Sequence, residues 1–209
     1  MPMPTRLSRG RDLFLIAAAV LVLSAAAYQI VQTRGPVPQG TSTQLGQGVP
    51  LNTPFRLLDE EGQVTTEARF VGRPAAWFYG FTQCPDVCPT ALAELASLLT
   101  LLGGDADKLS AIFVTVDPER DTVQVMKDYV EYFDPRIVGL TGDVAAVTAM
   151  TKSRFIAFTK VPGQGGDYAM DHSASIFLTN AEGEFVGTLD PEETLVVKLA
   201  KLRRLIRPA

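Results

Sequence analysis

Two cysteines and a single histidine are the only soft or borderline metal-binding side chains, other than methionine, in 209 residues. So few cysteines exclude a small fold held together by disulfides, and they argue against structural zinc, which takes four Cys or His ligands. Basic charge is also in short supply, with 19 Lys and Arg against 23 Asp and Glu. Four of those cations (Arg6, Arg9, Arg11, Arg34) lie in the first 34 residues, where Asp12 is the only acid. The rest of the chain therefore holds 15 bases and 22 acids, five of the bases crowding the C terminus. An acidic body repels phosphate backbones, which excludes nucleic acid as a partner, and it attracts cations or basic protein faces. Internal repeats are absent. A hydrophobic content of 46% with 20% charged residues excludes a disordered chain.

The uncharged run LFLIAAAVLVLSAAA starts at Leu13 and extends to Val31. As a helix those residues would measure about 28 Å, close to the ~30 Å hydrocarbon core of a bilayer. Three arginines precede it, so the positive-inside rule keeps the N terminus cytoplasmic and exports the remainder of the chain. A cleaved signal peptide is the competing reading, because Ala25-Ala26-Ala27 offers a small-residue cleavage site. Residues 33–50 are rich in Gly, Pro, Gln, Ser and Thr without apolar periodicity, which is linker composition. The expected organisation is a cytoplasmic segment 1–12, a transmembrane anchor or signal segment 13–31, a flexible linker 32–50 and a folded domain 51–209.

Within the domain, Phe55–Leu58 and Gln63–Thr65 read as a hairpin. Ala75–Gly80 (AAWFYG) and Ala111–Val116 (AIFVTV) are continuously apolar, as strands buried on both faces must be. Helical spacing of leucines predicts a helix over Ala91–Leu102, closed by Gly103-Gly104. A second helix is expected over Thr122–Phe133, capped by Asp121 with Gln124. Further expectations are a strand at Ile137–Leu140, a helix at Ala145–Arg154, a hairpin of Ser175–Thr179 with Glu184–Leu189, and a last helix from Pro191 to Ile206. Strands alternating with helices predict an α/β fold, a mixed β-sheet flanked by helices on both faces.

Cys84 and Cys88 sit in FTQCPDVCPT, between the first buried strand and a helix, where α/β proteins place their sites. A disulfide here would close only five residues, worth about 2 kcal/mol in the chain-entropy model, so a purely structural role is a poor account. Pro89 is tolerated only in a first helical turn, which puts Cys88 at a helix N terminus, where the dipole favours thiolate. Low-pKa thiolates serve either redox exchange or soft-metal binding, and spacing alone does not separate the two. His172 precedes an apolar strand and should lie at the same sheet end, with Asp171 available to orient its ring. Two thiolates and an imidazole suit copper(I), with room to adapt to copper(II), and zinc is the rival ion. Asp117-Pro118 reads as a turn, and Phe78, Tyr79 and Phe81 read as core.

The blocks GFTQCPDVCPT (80–90), VTVDPERDT (114–122), FDPRIVGLTG (133–142) and DHSASIFL (171–178) resemble the Sco/SenC copper chaperones, over about residues 50–206. The resemblance implies a thioredoxin-like fold and one copper ion held by Cys84, Cys88 and His172. It implies a role in assembling the binuclear copper site of cytochrome c oxidase subunit II, by delivering copper, by reducing the client's cysteines, or both. An exported thiol reductant and an upstream copper donor are the further partners it suggests. The setting would be a bacterial inner membrane, with the domain in the periplasm. Gln83 stands where some relatives carry histidine and is assigned no ligand role. A thiol–disulfide reductase using Cys84 and Cys88 without metal is the rival function, and a thiol peroxidase a more distant one.

Overall fold

The computed structural model describes residues 48–163 and 167–207, which belong to one compact unit. The expected N-terminal segment and anchor, and the linker up to residue 47, lie outside the described residues. The last part of the expected linker is already folded: Gly48 donates to the Phe185 carbonyl at 2.9 Å, and Pro50 bridges to Glu184.

The strands are β1 (Leu57–Asp59), β2 (Val64–Thr65), β3 (Ala75–Gly80), β4 (Ser110–Thr115), β5 (Ile137–Thr141), β6 (Phe158–Pro162), β7 (Tyr168–His172), β8 (Ile176–Thr179) and β9 (Phe185–Leu189). The helices are α1 (Val87–Leu102), α2 (Val123–Phe133), α3 (Val144–Ser153) and α4 (Leu195–Leu205). Seven strands form one mixed sheet in the order β2-β1-β5-β4-β3-β8-β9, while β6 and β7 pair as a separate antiparallel ribbon. Strands β3, β4 and β5 run parallel at the centre, and β8 runs antiparallel to β3.

All residues of β3 and β4 are buried, which is why their sequences are continuously apolar rather than alternating. Side-chain alternation still sorts them. Phe78 and Gly80 face Phe113 and the α1 side, whereas Trp77 and Tyr79 meet Arg154 at the end of α3. Leu92, Leu95, Leu98, Leu99 and Leu102 of α1 are buried in that core, each worth about 1.5–3 kcal/mol relative to exposure. Helix α1 and the 3-10 turn after it (Val87–Lys108) make the one stretch among the described residues long and apolar enough to cross a membrane, but its leucine side is already committed to the core.

Several expected boundaries shift for local reasons. Helix α1 begins four residues early because Pro89, third in the helix, needs no hydrogen-bond acceptor there. Helix α2 is capped by Thr122, whose hydroxyl accepts from Val125 N, and not by Asp121. Helix α4 begins at Leu195 behind a Thr194 cap, leaving Pro191 in the preceding turn. The β6–β7 ribbon matches no expected element. Its residues are largely exposed, so no apolar pattern announces it.

Candidate metal centre

Strand β3 ends at Gly80, and the chain turns through Thr82–Asp86 into α1. The carboxylate of Asp121 holds this turn in place. It accepts from Thr82 N at 3.1 Å, from Thr82 Oγ1 at 2.6 Å and from Thr115 Oγ1 at 2.6 Å. Asp121 is fully buried, and burial pushes its carboxyl above the ordinary carboxylate range. It is therefore the anchor of the cysteine loop rather than a helix cap.

Cys84 is half-buried and Cys88 is completely buried, and both are unbridged thiols. The Cys88 backbone N–H points at Cys84 Sγ at 3.5 Å, as the start of a helix should direct its spare donors. The helix dipole expected to favour a thiolate at Cys88 is outweighed there by burial. Desolvation is the largest influence on Cys88, with Cys84 and Asp121 nearby, and it pushes the thiol upward. A buried sulfur with no cation beside it keeps its proton, and it becomes a thiolate only when a positive ion supplies the missing charge.

His172, at the end of β7, places Nε2 3.3 Å from Cys88 Sγ. Its Nδ1 lies 2.9 Å from the Ser173 carbonyl. A carbonyl only accepts, so Nδ1 carries the hydrogen and Nε2 presents its lone pair toward the sulfurs. The partner expected for this ring was Asp171. Alternation along β7 instead leaves Asp171 exposed, and the backbone takes its place. Phe78 and Phe81 pack edgewise on the imidazole with centroids at 6.1 and 5.7 Å. They are core residues, as expected, and they also wall the site.

The three donor atoms of Cys84, Cys88 and His172 lie within 4.8 Å of one another. Two donors on one ion stand at most about 4.6 Å apart at ~2.3 Å metal–sulfur bonds, so the trio fits a single ion with an adjustment of tenths of an ångström. The donor set is soft and holds no carboxylate, which suits copper better than magnesium or calcium.

The ribbon carrying His172 is fixed by Arg120, a residue to which the sequence alone gives no role. Arg120 stacks on Tyr168, its guanidinium carbon 3.7 Å from the ring centroid. Its Nη1 donates to Gln83 Oε1 and Asp167 Oδ1 at 3.2 Å and to the Tyr168 carbonyl at 3.1 Å, and its Nε pairs with Asp117. The Tyr168 hydroxyl donates to Asp117 Oδ1 at 2.8 Å. Tyr168 and His172 are four apart on one face of β7, so Arg120 ties the cysteine loop to the histidine strand. Gln83 binds Arg120 and makes no contact suggesting a ligand. The one available signal is the density of charge in VDPERD, which exceeds what a turn and a cap require.

A family model described as SCO1/SenC matches residues 43–207. The structure is similar to that of Bradyrhizobium japonicum ScoI with copper bound: 43% identity, 75% of this chain and 99% of that one, TM-score 0.70. Arabidopsis thaliana ScoI with copper bound gives 30% identity over 75% and 98% of the two chains, with TM-score 0.69. The mitochondrial SCO2 homologue of Danio rerio is 41% identical over 145 residues, covering 68% of this chain and half of that protein.

Proposed function

The chain belongs to the SCO1/SenC family, and from that premise we propose that it is a metallochaperone binding one copper ion through Cys84, Cys88 and His172. The observation that carries this reading is the convergence of three soft donors within 4.8 Å from two distant parts of the chain. Each donor has its own task. Cys88 is sealed in the core and is the fixed ligand. His172 is oriented by Ser173. Cys84 is the accessible one, so a client's ligand enters, and copper leaves, on its side.

The family resemblance extends the reading to the client: the binuclear copper site of cytochrome c oxidase subunit II. Residues 13–31 would anchor the chain in a bacterial inner membrane, with 1–12 cytoplasmic, 32–50 as tether and 51–209 as the periplasmic copper-binding domain. An exported thiol reductant would keep the cysteines open, since an oxidising compartment converts them to a disulfide that cannot bind as thiolates do. An upstream copper donor would load the site. The test is competition for Cu(I) against a chelator of known affinity, together with oxidase copper content in cells lacking the protein. His172→Ala should weaken copper binding by about 10- to 100-fold. Equal affinity of variant and wild type would remove the histidine from the site.

One observation favours a second activity at the same residues. Cys84 is accessible and receives the Cys88 N–H, the arrangement of an attacking thiol in a thiol–disulfide reductase. That activity would survive His172→Ala unchanged, whereas copper binding would be weakened.

A further inference from the structure

The end of the domain opposite the cysteines carries charge of the other sign from the acidic body. Six exposed cations from three segments stand at this end: Arg69 and Arg73, Lys108, and Arg203, Arg204 and Arg207 at and just beyond the last turn of α4. The acids among them are Asp59, Glu67, Asp105, Asp107 and Glu182. Lys108 pairs with Asp105 at 2.6 Å and Arg69 with Asp59 at 2.7 Å. Arg73 and Arg203 reach only backbone carbonyls, of Asp107 and Leu101. The C-terminal dipole of α4 accounts for Arg203 and Arg204. It does not account for Arg69, Arg73 and Lys108, which come from elsewhere in the chain and, with Arg207, line one groove at the start of β3. Val71 and Leu101, 52% and 48% exposed, add apolar tips to the same end.

The chain also joins the domain at this end. Leu51 N donates to the Gly183 carbonyl at 2.9 Å and Asn52 Nδ2 to the Glu182 carbonyl at 3.0 Å. Both acceptors belong to the β8–β9 turn, whose Asn180, Ala181 and Glu182 border the basic groove. Strand β3 separates this end from the cysteine loop, and its six residues span about 17 Å.

We propose that this basic end is a docking surface for anionic phospholipid headgroups, holding the domain on the membrane with its metal centre turned away. The proposal rests on the reading of residues 13–31 as a membrane anchor. A tether of residues 32–47 averages about 20–24 Å, so it keeps the basic end within reach of the headgroups. Cations near an anionic bilayer each strengthen the contact about fivefold, and apolar tips settle at the headgroup boundary. The metal centre then faces a client domain projecting from the same membrane.

The test is hydrogen–deuterium exchange of the full chain in nanodiscs of phosphatidylcholine alone or mixed with phosphatidylglycerol. Amides around Val71–Arg73, Asp105–Lys108 and Arg203–Arg207 should exchange several-fold more slowly in the anionic discs, and raised salt should abolish the difference. The triple variant Arg73→Gln, Arg204→Gln, Arg207→Gln should lose that protection, and copper binding should be unchanged. Its contact should be weaker on the order of a hundredfold. Equal exchange at this end in both lipids, or protection on the cysteine side instead, overturns the proposal. A chain that fails to enter the discs defeats the anchor reading. Cosedimentation of that chain with phosphatidylglycerol vesicles then decides the docking surface by itself, binding supporting it and no binding overturning it.

Discussion

Gly80 makes room for Cys88: a β-carbon on Gly80 would stand 2.6 Å from Cys88 Sγ and 3.0 Å from the Phe113 ring. No carbon approaches a non-bonded sulfur so closely. The last residue of β3 is therefore bare so that a buried sulfur can lie against the strand's end, within reach of His172. The proposed copper ligand and the core packing meet at this one point, so a change to the packing should disturb the ligand.

Gly80→Ala is accordingly predicted to displace Cys88. Overpacking of a filled core costs about 1–3 kcal/mol, and the contact here is at the severe end. Denaturant unfolding should show that loss, and Cu(I) competition on the folded fraction should show weakened binding. Unchanged copper affinity would mean that the sulfur does not lie where β3 ends.

Arg120→Ala is predicted to act on copper through His172. Freed from Arg120, the β7 ribbon no longer holds the imidazole in register with the sulfurs, and affinity should fall about tenfold. Added to His172→Ala, the same change should cost almost nothing more, because the two substitutions remove one interaction. Arg120→Lys should not rescue binding, since an ammonium cannot both stack on Tyr168 and fork to several acceptors. Additive losses in the double variant would show that Arg120 works elsewhere.

Most of the frame is legible in residue patterns, because the central strands and α1 obey them without conflict. AAWFYG and AIFVTV are too uniformly apolar for anything but buried strands, and the leucine spacing of α1 is unambiguous. The donors are legible as well, since two cysteines and one histidine leave little choice. What escapes is long-range. Asp121 looks like a cap in sequence, and only the fold brings Thr82 and Thr115 to it. Tyr168 and Arg120 lie 48 residues apart, and neither stands in an apolar period. The β6–β7 ribbon is exposed and polar, so periodicity has nothing to register.

Asp134 carries a pH dependence of stability. Its carboxylate is forked by Arg136, with Oδ2 2.6 Å from Nη2 and Oδ1 2.8 Å from Nε, and this holds its pKa below the ordinary 3.8. A carboxyl lowered in the folded state stabilises above the unfolded value, and that contribution disappears as pH falls through the folded one. Arg136 is 40% exposed, so solvent screening limits the pair. Asp134→Asn should cost about 1 kcal/mol at neutral pH, and the gap between variant and wild type should close as pH falls through the lowered carboxyl value, below the ordinary 3.8. A gap constant with pH would assign the cost to packing.

Phe155 holds the left-handed conformation, φ 59°, directly after the Arg154 cap of α3, and the residue is 59% exposed. A side chain in that region costs about 1 kcal/mol, and Asn or Gly is the usual occupant of this position after a helix. Little burial would be lost with the ring. Phe155→Asn should thus raise stability by about 0.5–1 kcal/mol, more safely than Gly, which also loosens the unfolded chain. The residue opens the path to β6 and hence to the ribbon bearing His172, so copper affinity is the second readout. If stability rises while affinity holds, the strain is local to the helix end. If stability falls, the exposed ring makes a contact that outweighs the strained backbone.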